Sequence, residues 1–139
     1  MLHADNIIID NNLIGVAMNE VNPIGNSSAG ILLASDSNLV TNNIIANSGS
    51  EEAGLWLEGD FNIVQSNYFG TDFTETVNHG NNGAAIVITA NGSNNLIGGN
   101  DSVQTNIIAN SMADGIATFG GYNHGNSFLR NKIYNNGQF

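Results

Sequence analysis

Asp36, Glu58 and Asp60 fall in matching parts of two neighbouring segments of this chain. "SDSN" puts Asp36 two residues before Asn38, and "GDFN" puts Asp60 two residues before Asn62. Two carboxyl groups held at a defined separation are what glycoside hydrolysis needs, one to protonate the leaving oxygen and one to attack or to activate water. Trp56 stands beside Glu58 in "LWLEG", and an aromatic ring bordered by acceptors suits a sugar ring. The candidate catalytic residues are therefore Asp36, Asp60 and Glu58. The same residues equally suit an inert role, as solvated turn aspartates next to an outer strand face covered by a loop or a subunit contact.

What positions them is a repeat. "GILLASDSNLVTNNIIANS" from Gly30 and "GLWLEGDFNIVQSNYFGTD" from Gly54 align on their asparagines, Asn38 with Asn62 and Asn43 with Asn67. "GIATFGGYNHGNSFLRNKIYNN" from Gly115 repeats the order with a longer turn, giving Asn126 and Asn131. The segment from Ala84 does so with an insertion at about 99–105 before Asn106, and "DNIIIDNNLIG" supplies the second half of a further copy, with Asn6 and Asn12. About five copies of 24–31 residues result, and internal repeats of that period indicate a solenoid.

Each copy holds three short runs with period-2 alternation and no helical period, Ile31–Ala34, Leu39–Thr41 and Ile44–Ala46 in the clearest case. Stacked copies let each run pair in parallel with its equivalent about 4.8 Å above and below. The predicted fold is all-β, a right-handed parallel β-helix over 1–139 as a single domain, with inward pairs Ile31/Leu33, Leu55/Leu57 and Ile86/Ile88. The second asparagine of each copy (Asn12, Asn43, Asn67, Asn106, Asn131) is expected at a bend in left-handed conformation, its amide stacked in a ladder on the next.

The alignment also sorts the candidate site. Asp36 and Asp60 should stack one coil apart, with Ser93 and His124 in the equivalent place further on. The outward column of the first strand reads Leu32, Trp56, Val87, Ala117. The expected substrate-binding residues are Trp56, Leu32, Val87 and His124, with loops at 48–53 and 72–83 along one edge. A stacked Asp36/Asp60 pair would share a proton and suit a retaining mechanism.

Composition narrows the partners. Twelve acidic residues face only Arg130 and Lys132, a net charge of −10, so nucleic acid and anionic membranes are disfavoured. No apolar stretch is long enough to cross a bilayer. The absence of cysteine excludes a disulfide framework. No cofactor is expected; Asp72, Glu75 and Asp101 lie in loops where Ca²⁺ is conceivable, but their spacing matches no Ca²⁺ loop. "MLHADN" lacks the regions of a signal peptide and begins inside the repeat, which suggests a piece of a longer solenoid. Strand edges near both ends invite end-to-end self-association.

The pattern G-I-x-L…N-x-I-x-x-N-x-I resembles the right-handed parallel β-helix repeats of the pectin-lyase-like superfamily. "SNYFGTDFTETVNHGNNGAAIVITANGSNNLIGGNDSVQTNIIANS" is similar to repetitive secreted or surface bacterial proteins of that superfamily. The resemblance implies an extracellular or cell-surface bacterial setting and a polysaccharide partner, with the groove on the strand that carries Trp56. Its enzyme motifs are incomplete here. Gly70-Thr71-Asp72, His79-Gly80, His124-Gly125 and Arg130-Asn131-Lys132 match fragments of the polygalacturonase set, but no Asp-Asp pair and no Asp-Pro-His-Glu run occurs. The leading expectation is a non-catalytic structural or polysaccharide-binding module, and the competing one is a polysaccharide hydrolase or lyase.

Overall fold

Runs of three residues are too short to hold as an isolated sheet, so their edges must be satisfied from other coils. The computed structural model, which describes residues 4–19, 22–49 and 52–137, does this by stacking. The first coil contributes β1 (Ile8–Asp10) and β2 (Leu13–Ile14). The second has β3 (Ile31–Leu33), β4 (Leu39–Thr41) and β5 (Ile44–Ile45), and the third has β6 (Leu55–Leu57), β7 (Ile63–Gln65) and β8 (Tyr68–Phe69). The fourth has β9 (Ile86–Ile88), β10 (Leu96–Gly98) and β11 (Ile107–Ala109), and the fifth has β12 (Ile116–Thr118), β13 (Ser127–Leu129) and β14 (Lys132–Tyr134).

These strands make three sheets, each a column of equivalent strands: β3-β6-β9-β12, β1-β4-β7-β10-β13 and β2-β5-β8-β11-β14. Every pairing within them is parallel. The fold is the parallel β-helix expected from the repeat. In the second coil, the strand limits agree with those read from the sequence to within a residue.

The interior is one apolar column per strand position. Ile31, Leu33, Leu55, Leu57, Ile86 and Ile88 come from the first sheet, Val40, Val64 and Ile97 from the second, and Ile45, Phe69 and Ile108 from the third. All are buried, and Ile9, Ile14 and Ile116 pack against them from the end coils.

The corners are where polar residues enter. At the corner between the second and third sheets, Asn43 Oδ1 accepts Asn12 N–H at 2.9 Å and Asn67 Oδ1 accepts Asn43 N–H at 3.0 Å. Asn106 Oδ1 accepts Asn67 N–H at 3.0 Å, and Asn131 Oδ1 accepts Asn106 Nδ2 at 2.9 Å. The Nδ2 groups also donate to backbone carbonyls, Asn43 to Ile9, Asn67 to Val40, Asn106 to Val64 and Asn131 to Ile97. A second ladder runs at the previous corner, where Asn38 N–H donates to Asn62, Asn62 N–H to Asn95 and Asn95 N–H to Asn126. A short third one follows, with Ser48 N–H donating to Asn81 and Ser111 N–H to Asn136.

Two expectations about these corners need correction. The ladder asparagines are not themselves left-handed; before four of the five it is the preceding residue that is, Asn11 (φ 57°), Asn42 (φ 55°), Ser66 (φ 61°) and Arg130 (φ 51°), while Thr105 before Asn106 is extended (φ −65°) where the 3₁₀ turn brings the chain in. One left-handed residue suffices to turn the chain, and the next residue then presents its amide inward. Asn6 also does not begin the ladder. The register of Ile8 with Leu39 puts Ile7 opposite Asn38, and Ile7 N–H donates to Asn38 Oδ1 at 2.7 Å. Asn6 is the left-handed residue of its coil (φ 58°), in the column of Ser37, Phe61, Asn94 and Gly125.

The insertion before Asn106 is a single 3₁₀ turn, Ser102–Gln104. Asp101 caps it by accepting Val103 N–H, while the Gln104 side chain accepts Asp101 N–H at 3.0 Å.

Candidate functional site

The first strand of each coil builds the site. Its middle residues pair in one line, Leu32 with Trp56, Trp56 with Val87 and Val87 with Ala117. Because Leu55 and Leu57 fill the interior, period-2 alternation turns Trp56 outward. The column is not a bare strip. Leu32 and Trp56 are half-buried, and Val87 and Ala117 are only 3% and 8% exposed.

Two loop segments, 82–84 and 112–114, stand beside Trp56, Val87 and Ala117, while Leu32 lines a separate recess at the first coil. Together with Trp56, Val87, Ala117 and Phe119 the two segments enclose a groove of about 430 Å³. Ala53 and Ala84 pack beside it. The 112–114 wall and Phe119 had no counterpart in the sequence reading. Of the loop expected at 48–53, residues 50 and 51 lie outside the described residues.

A second recess of about 400 Å³ adjoins the groove. Asn82 and Met112 line both. Five asparagines, Asn47, Asn78, Asn82, Asn110 and Asn135, line the second recess together with Gly80, Ser111 and Met112. Asn47, Asn110 and Asn135 are left-handed (φ 50°, 60° and 54°). Asn47 Nδ2 donates to the Gly15 carbonyl at 2.9 Å and Asn110 Nδ2 to the Gly70 carbonyl at 3.1 Å, which holds both amides against the preceding coil. The sequence signal for this amide bank was the asparagine of "IIANS", which recurs at Asn47 and Asn110.

Glu58 lies at the far end of Trp56, and its Oε1 accepts the indole N–H at 3.2 Å. That bond fixes the ring plane and occupies one carboxylate oxygen. Asp36 and Asp60 do stack one coil apart, but through the backbone: Asp36 Oδ1 accepts Asp60 N–H at 2.7 Å. Asp5 Oδ1 accepts Asp36 N–H at 2.9 Å in the same way, and Asp60 Oδ1 accepts Ser93 N–H at 2.7 Å. Ser93 Oγ continues the series by accepting His124 N–H at 3.1 Å. Among the described residues no bond joins the two carboxyl groups. His124 is exposed and belongs to this turn column, not to the strand face of Trp56. None of Asp36, Asp60 or His124 lines the groove.

The loop acids are dispersed. Asp72 is buried and accepts Thr74 Oγ1 at 2.7 Å and Thr76 N–H at 3.3 Å. Burial alone would raise its pKa, and these hydrogen bonds hold it below the usual aspartate value instead. Glu75 reaches across to Lys132 and accepts Tyr134 Oη at 3.1 Å, while Asp101 caps the 3₁₀ turn. The hydrogen bond from Lys132 keeps Glu75 below the usual glutamate value. No group of three or more metal-ligating side chains stands together among the described residues.

Comparison with protein-family models, with curated proteins and with solved structures found no match. The arrangement itself is what remains: an aromatic floor, a bank of neutral amides, and carboxylates bonded to the frame.

Proposed function

We propose that this chain is a non-catalytic β-helix module that holds a neutral polysaccharide along the face of β6, β9 and β12. The observation that carries the reading is that the two recesses adjoin, with Asn82 and Met112 lining both. Trp56, Val87 and Ala117 offer an apolar floor for the faces of sugar rings. Asn47, Asn78, Asn82 and Asn110 offer donors and acceptors to hydroxyls without adding charge. No lysine or arginine lines either recess, and a net charge of −10 repels polyuronates. A neutral chain fits both facts.

A catalytic role draws less support, since Asp36, Asp60 and Glu58 each give an oxygen to a bond within the frame. The likeness of the repeats to the pectin-lyase-like superfamily supports placing the module in a secreted or cell-surface bacterial protein, where such polysaccharides are met.

Affinity electrophoresis through gels of neutral glucans, mannans and xylans, run beside polygalacturonate, tests the reading. Retardation on a neutral glycan with no new reducing ends and no unsaturated products supports it. Release of products, abolished by the paired change Asp36→Asn with Asp60→Asn, would establish an enzyme in its place.

A further inference from the structure

The chain contains three Asn-Gly dipeptides, Asn82-Gly83, Asn91-Gly92 and Asn136-Gly137. This is the pairing in which a backbone nitrogen most readily attacks the preceding side-chain amide, because glycine has no side chain to obstruct the approach. The attack needs two things at once: a side chain able to swing back, and a following N–H not committed elsewhere. The structure separates the three sites on both counts.

At Asn136 both requirements fail. Its Oδ1 accepts Ser111 N–H at 3.0 Å, and its Nδ2 donates to Ile108 and Tyr134 carbonyls at 3.0 Å each. Gly137 N–H donates to the Ser111 carbonyl at 3.0 Å. At Asn91 the side chain is exposed, but Gly92 N–H closes a turn onto the Thr89 carbonyl at 3.0 Å. Asn82 is exposed, and neither its side chain nor Gly83 N–H has a hydrogen-bond partner among the described residues. The residue is nonetheless held in place, by Asn82 N–H on the Ser48 carbonyl at 3.4 Å and Ala113 N–H on the Gly83 carbonyl at 3.2 Å.

We infer that Asn82-Gly83 is a self-modification site at which the groove acquires a negative charge with time. The Gly83 nitrogen loses its proton to base and bonds to Cγ of Asn82. The side-chain nitrogen leaves as ammonia, and a succinimide results. Water then opens either carbonyl of the ring, giving aspartate or isoaspartate at position 82. No oxidant or reductant takes part. Asn82 lines both recesses, so the new carboxylate sits at their junction, and the isoaspartate product also lengthens the backbone there. The chemistry stands apart from the glycan reading; only its consequence for binding rests on that reading.

The test is incubation of the folded protein at mildly alkaline pH with samples taken over time. Peptide mapping then assigns the mass gain of amide-to-acid conversion to each dipeptide. Conversion at Asn82 several-fold faster than at Asn91 and Asn136, abolished in Asn82→Gln, is the expected result. Equal rates at the three sites, or faster conversion at Asn91 or Asn136, would overturn it. A denatured control fixes the intrinsic rates, and convergence of the three rates there assigns the difference to the fold. If the three rates differ as much in the denatured control, local sequence governs them and the structural argument fails. Retention on a neutral glycan gel, compared between the parent and Asn82→Asp, reads the consequence separately and leaves the mapping result untouched.

Discussion

Asn106 Oδ1 accepts two hydrogen bonds from Asn67, one from its backbone N–H at 3.0 Å and one from Nδ2 at 3.1 Å. Both residues are fully buried. A side chain with both donor and acceptor capacity is needed here, because a buried polar group without a partner costs free energy. Leucine would fill the space and leave these backbone groups unpaired.

Asn67→Ala is expected to lower stability by roughly 1–3 kcal/mol, since it removes bonds to Val40, Gln65 and Asn106 and leaves Asn43 N–H without its acceptor. Asn131 is only half-buried, and Asn131→Ala should cost clearly less. Paired thermal or denaturant melts measure the difference. Equal losses would contradict the ladder.

Gly70 and Gly98 make a sharper test of coil spacing. Both have left-handed backbone (φ +72° and +88°), and a Cβ on either would lie 2.0 or 1.9 Å from a carbonyl oxygen of the next coil. Gly70→Ala or Gly98→Ala must therefore push adjacent coils apart. The backbone strain alone costs about 1–2 kcal/mol, and the steric overlap adds to it. Gly121→Ala is the control, with no atom within 4 Å of the added carbon. It should melt with the parent.

Much of this was legible because a solenoid repeats its physics. Period two identified Leu55 and Leu57 as core and Trp56 as outward. The spacing of Asn43 and Asn67 revealed a ladder before any coordinates. The left-handed positions were not legible, since they are occupied by residues as different as Asn42, Phe61, Ser66 and Arg130. At a turn with its side chain largely in solvent, the fold tolerates almost any residue at a modest strain cost. The use of Asp36 was hidden for another reason: its partner is a backbone N–H, and backbone amides carry no sequence signature. The wall at 112–114 comes from a loop whose length varies between coils, so alignment on asparagines said nothing of it.

Acid should loosen the 72–79 loop. The hydrogen bond from Lys132 holds the Glu75 pKa below 4.5. A depressed carboxyl pKa gives stability that is present above the unfolded value and lost as pH falls through the folded one. Stability of the parent should thus decline below about pH 4.5, and Glu75→Gln should flatten that limb by giving up at neutral pH the stability that the parent loses only in acid. Denaturant melts across the acid range read this directly. Parallel pH profiles for the two proteins would show that the pair does nothing.

Association through the coil edges is expected in concentrated solutions of this chain. Ile9, Ile14, Ile31 and Leu32 line an open recess of about 380 Å³ beside the first coil, and Phe128 and Ile133 are exposed on the fifth. Parallel strand edges of this kind pair with further strands. Light scattering at high salt, where the charge of −10 is screened, should show concentration-dependent growth. A constant monomer mass would refute it.

The groove is tested most directly by Trp56 fluorescence, because Trp56 is the only tryptophan in the chain and its ring is part of the floor. Titration with neutral oligosaccharides should give a saturable change in emission for at least one sugar, reduced in the amide-bank variant Asn110→Ala and absent with polygalacturonate. Emission that stays unchanged with every neutral glycan, or that responds to polyuronate instead, would contradict the proposed function.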